Sequence, residues 1–124
     1  MARILIAEDE DSVRNLVARA LELHGHSATA VEDGARALET LAKDEPYDLL
    51  LTDIVMPVMD GIALALKVAQ DHPGLRILMM TGYAEEKRRA HNLDVLIHDV
   101  VSKPFTVQQL VDAVEAALNA PPPS

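Results

Sequence analysis

The chain has 124 residues, which suits one compact domain with its own apolar core and leaves little room for two. A hydrophobic content of 49% argues for a folded globule; with two Tyr, one Phe and no Trp the core must be aliphatic, and no base-stacking platform is available. Acids outnumber bases 20 to 11, a net charge of −9 that repels a nucleic-acid backbone, and the lack of Cys excludes disulfides, Cys-ligated zinc and thiol catalysis.

Short apolar runs alternate with segments of helical period. The run Arg3–Ala7 reads as a strand, closed by Glu8-Asp9-Glu10-Asp11. Val13, Leu16, Val17, Ala20 and Leu21 then recur at three- and four-residue steps, an amphipathic helix that Asp11 or Ser12 is placed to cap and Gly25 to stop. His24 and His26 flank that glycine in what reads as a solvated turn. Ser27–Val31 is a weak strand, Asp33-Gly34 a turn signal, and a second helix runs to about Lys43.

Residues 47–52 form a strong strand, with Leu49-Leu50-Leu51 apolar throughout. After a loop containing Met56-Pro57, Asp60 caps a helix over Gly61–Asp71, which Pro73-Gly74 breaks. Residues 76–80 give a fourth strand, ended by Thr81-Gly82, and residues 85–91 a charged helix of poor amphipathicity. Residues 95–101 give a fifth strand. Val107, Leu110, Val111, Val114 and Leu118 then make the cleanest helical stripe in the chain. Residues 1–120 are read as one domain and 121–124 as a flexible Pro-rich tail.

Five βα units with near-continuously apolar strands imply burial on both sheet faces. The expected fold is α/β, a doubly wound five-stranded parallel sheet of flavodoxin-like order 2-1-3-4-5. No apolar stretch approaches the ~20 residues of a membrane span, and acids follow the first apolar run at once without a secretory pattern. A cytoplasmic chain with no nucleic-acid and no membrane partner is expected.

Ligands of such sheets bind beyond the carboxyl ends of the strands. Strand one delivers Glu8 and Asp9 there, strand three Asp53, strand four Thr81 and Gly82, and strand five Lys103 before Pro104. Carboxylates at close range either hold protons or need a cation. Mg²⁺ takes hard oxygen ligands and keeps several waters, which suits Asp9 and Asp53 with Glu8 through water. Lys103 adds a fixed positive charge and Thr81 a hydroxyl. Together these describe a phosphoryl site in which Asp53 is the nucleophile, forming an acyl phosphate.

With Glu8-Asp9, the run Asp53-Ile54-Val55-Met56-Pro57-Val58-Met59-Asp60-Gly61, Thr81-Gly82 and Lys103-Pro104-Phe105, the chain resembles the receiver domain of two-component response regulators across nearly its whole length. The resemblance implies that Asp53 accepts phosphate from a phosphohistidine donor, a histidine phosphotransferase or histidine kinase. It implies that Asp9, Asp53 and the backbone carbonyl of Val55 bind Mg²⁺, that Thr81 and Lys103 sense the phosphoryl group, and that the Lys103-Pro104 bond is cis. Many receivers carry a rotating Tyr or Phe three residues before the lysine. Here that position is Val100, and the aromatic is Tyr83, expected to report the state of Thr81 to the surface of the fourth helix.

Within the family, the opening residues 1–14 and the stretch Met79-Met80-Thr81-Gly82-Tyr83-Ala84 resemble a stand-alone receiver that tunes degradation by the ClpXP protease. That implies an output partner in the ClpXP machinery; the chain is further expected to be a monomer and a phosphoacceptor, not an enzyme. A flagellar-motor or kinase-network partner, or a passive phosphate sink, is the alternative. An Asp-nucleophile phosphohydrolase of the dehalogenase type is more remote, since it needs its nucleophile on the first strand in an Asp-x-Asp pattern and a larger chain.

Overall fold

The computed structural model describes residues 2–43, 46–91 and 97–121, apart from the side chains of Ala84 and His91. In chain order the elements are β1 (Arg3–Ala7), α1 (Asp11–Leu23), β2 (Ser27–Val31), α2 (Gly34–Leu41), β3 (Leu49–Asp53), α3 (Gly61–Asp71), β4 (Arg76–Thr81), α4 (Ala84–His91), β5 (Asp99–Ser102) and α5 (Val107–Asn119). All strand pairs are parallel and the sheet order is β2-β1-β3-β4-β5, as the alternation of apolar runs and helical stripes predicts.

Alternate side chains of each strand leave the sheet on opposite faces, and both faces are covered. Leu5, Ala7, Leu50, Ile77, Met79 and Val100 pack beneath α2, α3 and α4, whose Ala37, Leu64, Ala65 and Ala90 are fully buried. Ile4, Ile6, Leu49, Leu51, Leu78 and Met80 pack beneath α1 and α5, against Val17, Leu21, Leu110 and Val114. The sheet is therefore clamped between two aliphatic layers. Its strand ends, and the residues just past them, are held in fixed register.

Several local expectations need correction. Neither Asp11 nor Ser12 caps α1: the N-cap position is Glu10, which makes no side-chain cap bond, and Asp11 is the first helical residue, ion-paired with Arg14. The third strand spans Leu49–Asp53, not 47–52, because Asp48 turns its carboxylate to the amide of Arg3 (2.8 Å) and Tyr47 lies under the Arg3 guanidinium. The fifth strand begins at Asp99; residues 95 and 96 lie outside the described residues, as do 122–124 of the predicted tail.

His26 is no solvated turn residue. Its side chain is 7% exposed, its Nε2 lies 2.7 Å from Glu115 on α5, and its Nδ1 accepts from the amide of Ala2 (3.2 Å). Gly25 does stop α1, in the left-handed region at φ 89°. The helix over residues 85–91 is present, one residue longer at its start.

The loop from β3 to α3 carries the Met-Pro-x-Met-Asp-Gly run, and each part has a visible task. The Asp60 carboxylate caps α3 at the amide of Ala63 (2.8 Å). The amide of Gly61 returns to the carbonyl of Ile54 (2.7 Å), which folds the loop onto the end of β3. Between them the amide of Met59 bonds the carbonyl of Pro57 (2.8 Å) around Val58, which sits at φ 70°.

Candidate functional site

The acidic pair, Asp53 and Lys103 meet at the carboxyl edge of the sheet, in an open cleft of about 1140 Å³ whose lining also includes Val55 and Tyr83. Asp53 is the last residue of β3 and is 7% exposed. One of its oxygens, Oδ1, accepts from the amide of Ile54 (2.9 Å). The other, Oδ2, lies 3.2 Å from the Lys103 ammonium. Glu8 is fully buried and its Oε1 takes the shorter ion pair with Lys103, at 2.6 Å, while Oε2 accepts from the amide of Glu10 (3.3 Å). Asp9, one residue further on, is exposed.

The strand neighbours complete the edge. Thr81 closes β4, is 2% exposed, and stands one residue before Gly82 of the cleft lining. Its hydroxyl oxygen accepts from the backbone amide of Tyr83 (3.2 Å), and its carbonyl accepts from the amide of Lys103 (2.8 Å). Lys103-Pro104 is cis, as expected. Val100 is buried under α4, on the face of the sheet that holds Met79 and Ala90, and carries no polar atom toward Thr81. Tyr83 is 63% exposed.

Charges at this density shift one another. Burial raises the Asp53 carboxyl, and the neighbouring Glu8 raises it further, to about 7 against an ordinary 3.8, in spite of Lys103. Burial also presses Glu8 upward, yet its hydrogen bond to Lys103, with Asp53 beside it, holds its carboxyl below the usual range. Burial and Glu8 raise Asp9. Burial alone would lower Lys103, but its pairs with Glu8 and Asp53 raise it. The cluster thus carries surplus negative charge, which raises Asp53 most.

A divalent cation answers the same surplus. Glu8, Asp9 and Asp53 each offer an oxygen, all within 4.8 Å of one another, and the set is hard, anionic and open to water on the Asp9 side. These residues fit Mg²⁺. Because Asp53 binds protons more tightly folded than unfolded, its own contribution to stability falls as pH rises from about 4 through 7. Asp53→Asn is therefore expected to stabilise the metal-free fold by on the order of 2 kcal/mol at pH 8, or about 5 °C in Tm, and by much less at pH 5. Thermal melts of both chains in EDTA at the two pH values check this; an equal gain at both would contradict it.

Every side chain of this cluster is legible in the sequence, but two of its supports are not. The Ile54 amide on Asp53 follows from backbone geometry alone. Arg14, which donates to the carbonyl of Glu8 (2.9 Å), was hidden as an ordinary charged position of an amphipathic helix.

Residues 4–115 match the response regulator receiver domain family, and the chain belongs to it. It is 42% identical over 120 residues to the response regulator receiver protein CpdR of Brucella abortus, covering 97% of this chain and 99% of that protein. It is 36% identical over 116 residues to the DNA-binding transcriptional regulator NtrC of Escherichia coli, covering 94% of this chain but 24% of that protein. Among solved structures it superposes on the response regulator TrrA of Thermotoga maritima, in complex with Mg²⁺ and BeF, with a TM-score of 0.84 and 27% identity over 94% of this chain and 99% of that one. The receiver fold of two-component signalling, inferred from motif and strand order, is thereby established.

Proposed function

We propose that the protein is a phosphorylation switch: Asp53 accepts a phosphoryl group from a phosphohistidine donor in the presence of Mg²⁺, and the change alters binding to a protein partner. One observation carries the reading. Asp53 sits between an acidic pair able to hold a hard cation and a lysine 3.2 Å from its outer oxygen, with its inner oxygen already fixed by the Ile54 amide.

Asp53 Oδ2 attacks phosphorus, the P–N bond of the donor breaks, and its electron pair stays on the imidazole nitrogen, which leaves as neutral histidine after taking one proton. Lys103 lies where it can neutralise charge on the transferred oxygens. Bound Mg²⁺ would supply further charge neutralisation, held by Asp9, Asp53 and the Val55 carbonyl, with Glu8 behind them. The Mg²⁺–BeF complex of the related TrrA supports this choice of ion. Such a site stores a phosphoryl group and does not turn over phosphate esters.

For the output we favour control of ClpXP-type proteolysis in the cytoplasm, by a monomeric receiver. The support is the end-to-end likeness to CpdR. The route outward runs through two contacts: the Tyr83 amide on the Thr81 hydroxyl, which ties the exposed Tyr83 ring to Thr81, and Lys87 of α4, which donates to the Ser102 hydroxyl (2.9 Å) beside Lys103. A partner reads the switch by the difference in its affinity for the two states. Pull-down and degradation assays with ClpXP, using phosphorylated and unphosphorylated chain, test the output. A state-dependent difference supports it, and none in either state overturns it in favour of a motor, kinase-network or sink role. Tyr83→Ala is expected to form the phosphoryl adduct normally yet bind the partner alike in both states, within about twofold; a preserved state difference would remove Tyr83 from the route.

A further inference from the structure

Three residues, Glu8, Asp9 and Glu10, join β1 to α1. β1 ends at Ala7, and α1 begins at Asp11 with no side-chain cap at Glu10. Helix starts are ordinarily closed by such a cap, which fixes the entering chain. Here the Glu8 carboxylate takes the Glu10 amide (3.3 Å), and a second closure comes from inside the helix. The Arg14 Nη1 reaches back to donate to the Glu8 carbonyl at 2.9 Å, and its Nη2 is ion-paired with Asp11. The Glu8 amide is held on the other side by the carbonyl of Val31 (3.1 Å). The Arg14 side chain is 18% exposed, so its bond to the Glu8 carbonyl is partly shielded from water, while its Asp11 partner is exposed.

The carbonyl that Arg14 holds belongs to the peptide joining Glu8 to Asp9. Holding that plane restrains the backbone from which both carboxylates leave: Glu8 is buried against Lys103, and Asp9, though exposed, keeps an oxygen within 4.8 Å of Glu8 and Asp53. We infer that Arg14 is a positioning residue for the cation site, orienting the Glu8–Asp9 pair through its bond to the Glu8 carbonyl. The inference rests on the Mg²⁺ reading above and adds to it a residue that touches neither the ion nor the phosphoryl group.

Sign separates this role from the others. Arg14 is a cation close to a cation site, so a purely electrostatic Arg14 would repel Mg²⁺, and its removal would tighten binding. A purely structural Arg14 would lower stability and leave the affinity of the folded protein unchanged. A positioning Arg14 does neither: its removal loosens the acid pair and weakens binding, by about tenfold if it acts as outer supports of metal ligands generally do.

The experiment is an NMR titration of the full chain with MgCl₂, reading Kd from amide shifts around the site, beside thermal melts in EDTA. Wild type, Arg14→Ala, Arg14→Lys and Asp53→Asn are compared. We expect Arg14→Ala to raise Kd about tenfold, and Arg14→Lys, which can still donate one bond to the carbonyl, to fall between it and wild type. Unchanged or tighter binding in Arg14→Ala, with Asp53→Asn still weakening it, overturns the positioning role while the cation site stands. No saturable shift in wild type overturns the cation site itself.

Discussion

Gly61→Ala is expected to destabilise the fold by about 3 kcal/mol or more, lowering Tm by roughly 10 °C, and to disturb the proposed phosphorylation site with it. A Cβ at Gly61 would fall well inside van der Waals contact with the carbonyl oxygen of Asp53, 2.9 Å from the Cα of Ile54 and 3.0 Å from the carbonyl carbon of Asp53. These are backbone atoms, so no rotamer change relieves the clash. Either α3 retreats and loses the bond from the Gly61 amide to the Ile54 carbonyl, or the end of β3 shifts and Asp53 moves with it. Gly82→Ala is the control. It lines the cleft, yet its Cβ would meet only the Lys103 Cβ, at 3.7 Å, and the variant should melt within about 1 °C of wild type. Melts and adduct formation on both variants check the pair, and a Gly61→Ala chain as stable and as reactive as wild type would contradict the account.

Lys103→Met is expected to cost about 2 kcal/mol at pH 8 and to abolish signalling. The lysine is the cation that Glu8 faces in its fully buried position, at 2.6 Å, and the neighbour of Asp53 at 3.2 Å. Without it Glu8 loses the partner that keeps its carboxyl below the usual range, and two acids face each other uncompensated. Their carboxyls then rise in the folded state. Stability lost at high pH returns as pH falls and they take up protons, so the deficit should shrink by more than half at pH 5. Glu8→Gln in the Lys103→Met background should recover most of the loss at pH 8. Denaturant melts of the four chains, read as a double-mutant cycle, measure the coupling; additive losses would show that Glu8 and Lys103 do not act as a pair.

Much of this was legible in the residues. Arg3–Ala7, Ser27–Val31 and Gly61–Asp71 have the bounds that period and punctuation give them, because apolar runs and turn residues mark those ends directly. Glu8, Asp9, Asp53, Thr81 and Lys103 could be gathered because strand order places consecutive βα loops along one edge. What stayed hidden is set by tertiary approach. Asp11 has a cap's chemistry, but its carboxylate is claimed by Arg14. His26 reads as a turn residue until α5 brings Glu115 to it. Gly61 reads as the first residue after a cap, and only the fold shows that it is glycine for want of space against β3.

The most direct test of the central claim is intact-protein mass after incubation with acetyl phosphate, with Mg²⁺ or with EDTA, on wild type and Asp53→Ala. The account predicts a single phosphoryl adduct on wild type that requires Mg²⁺ and is absent from Asp53→Ala under every condition. An adduct that persists in Asp53→Ala, or that forms equally in EDTA, would contradict it.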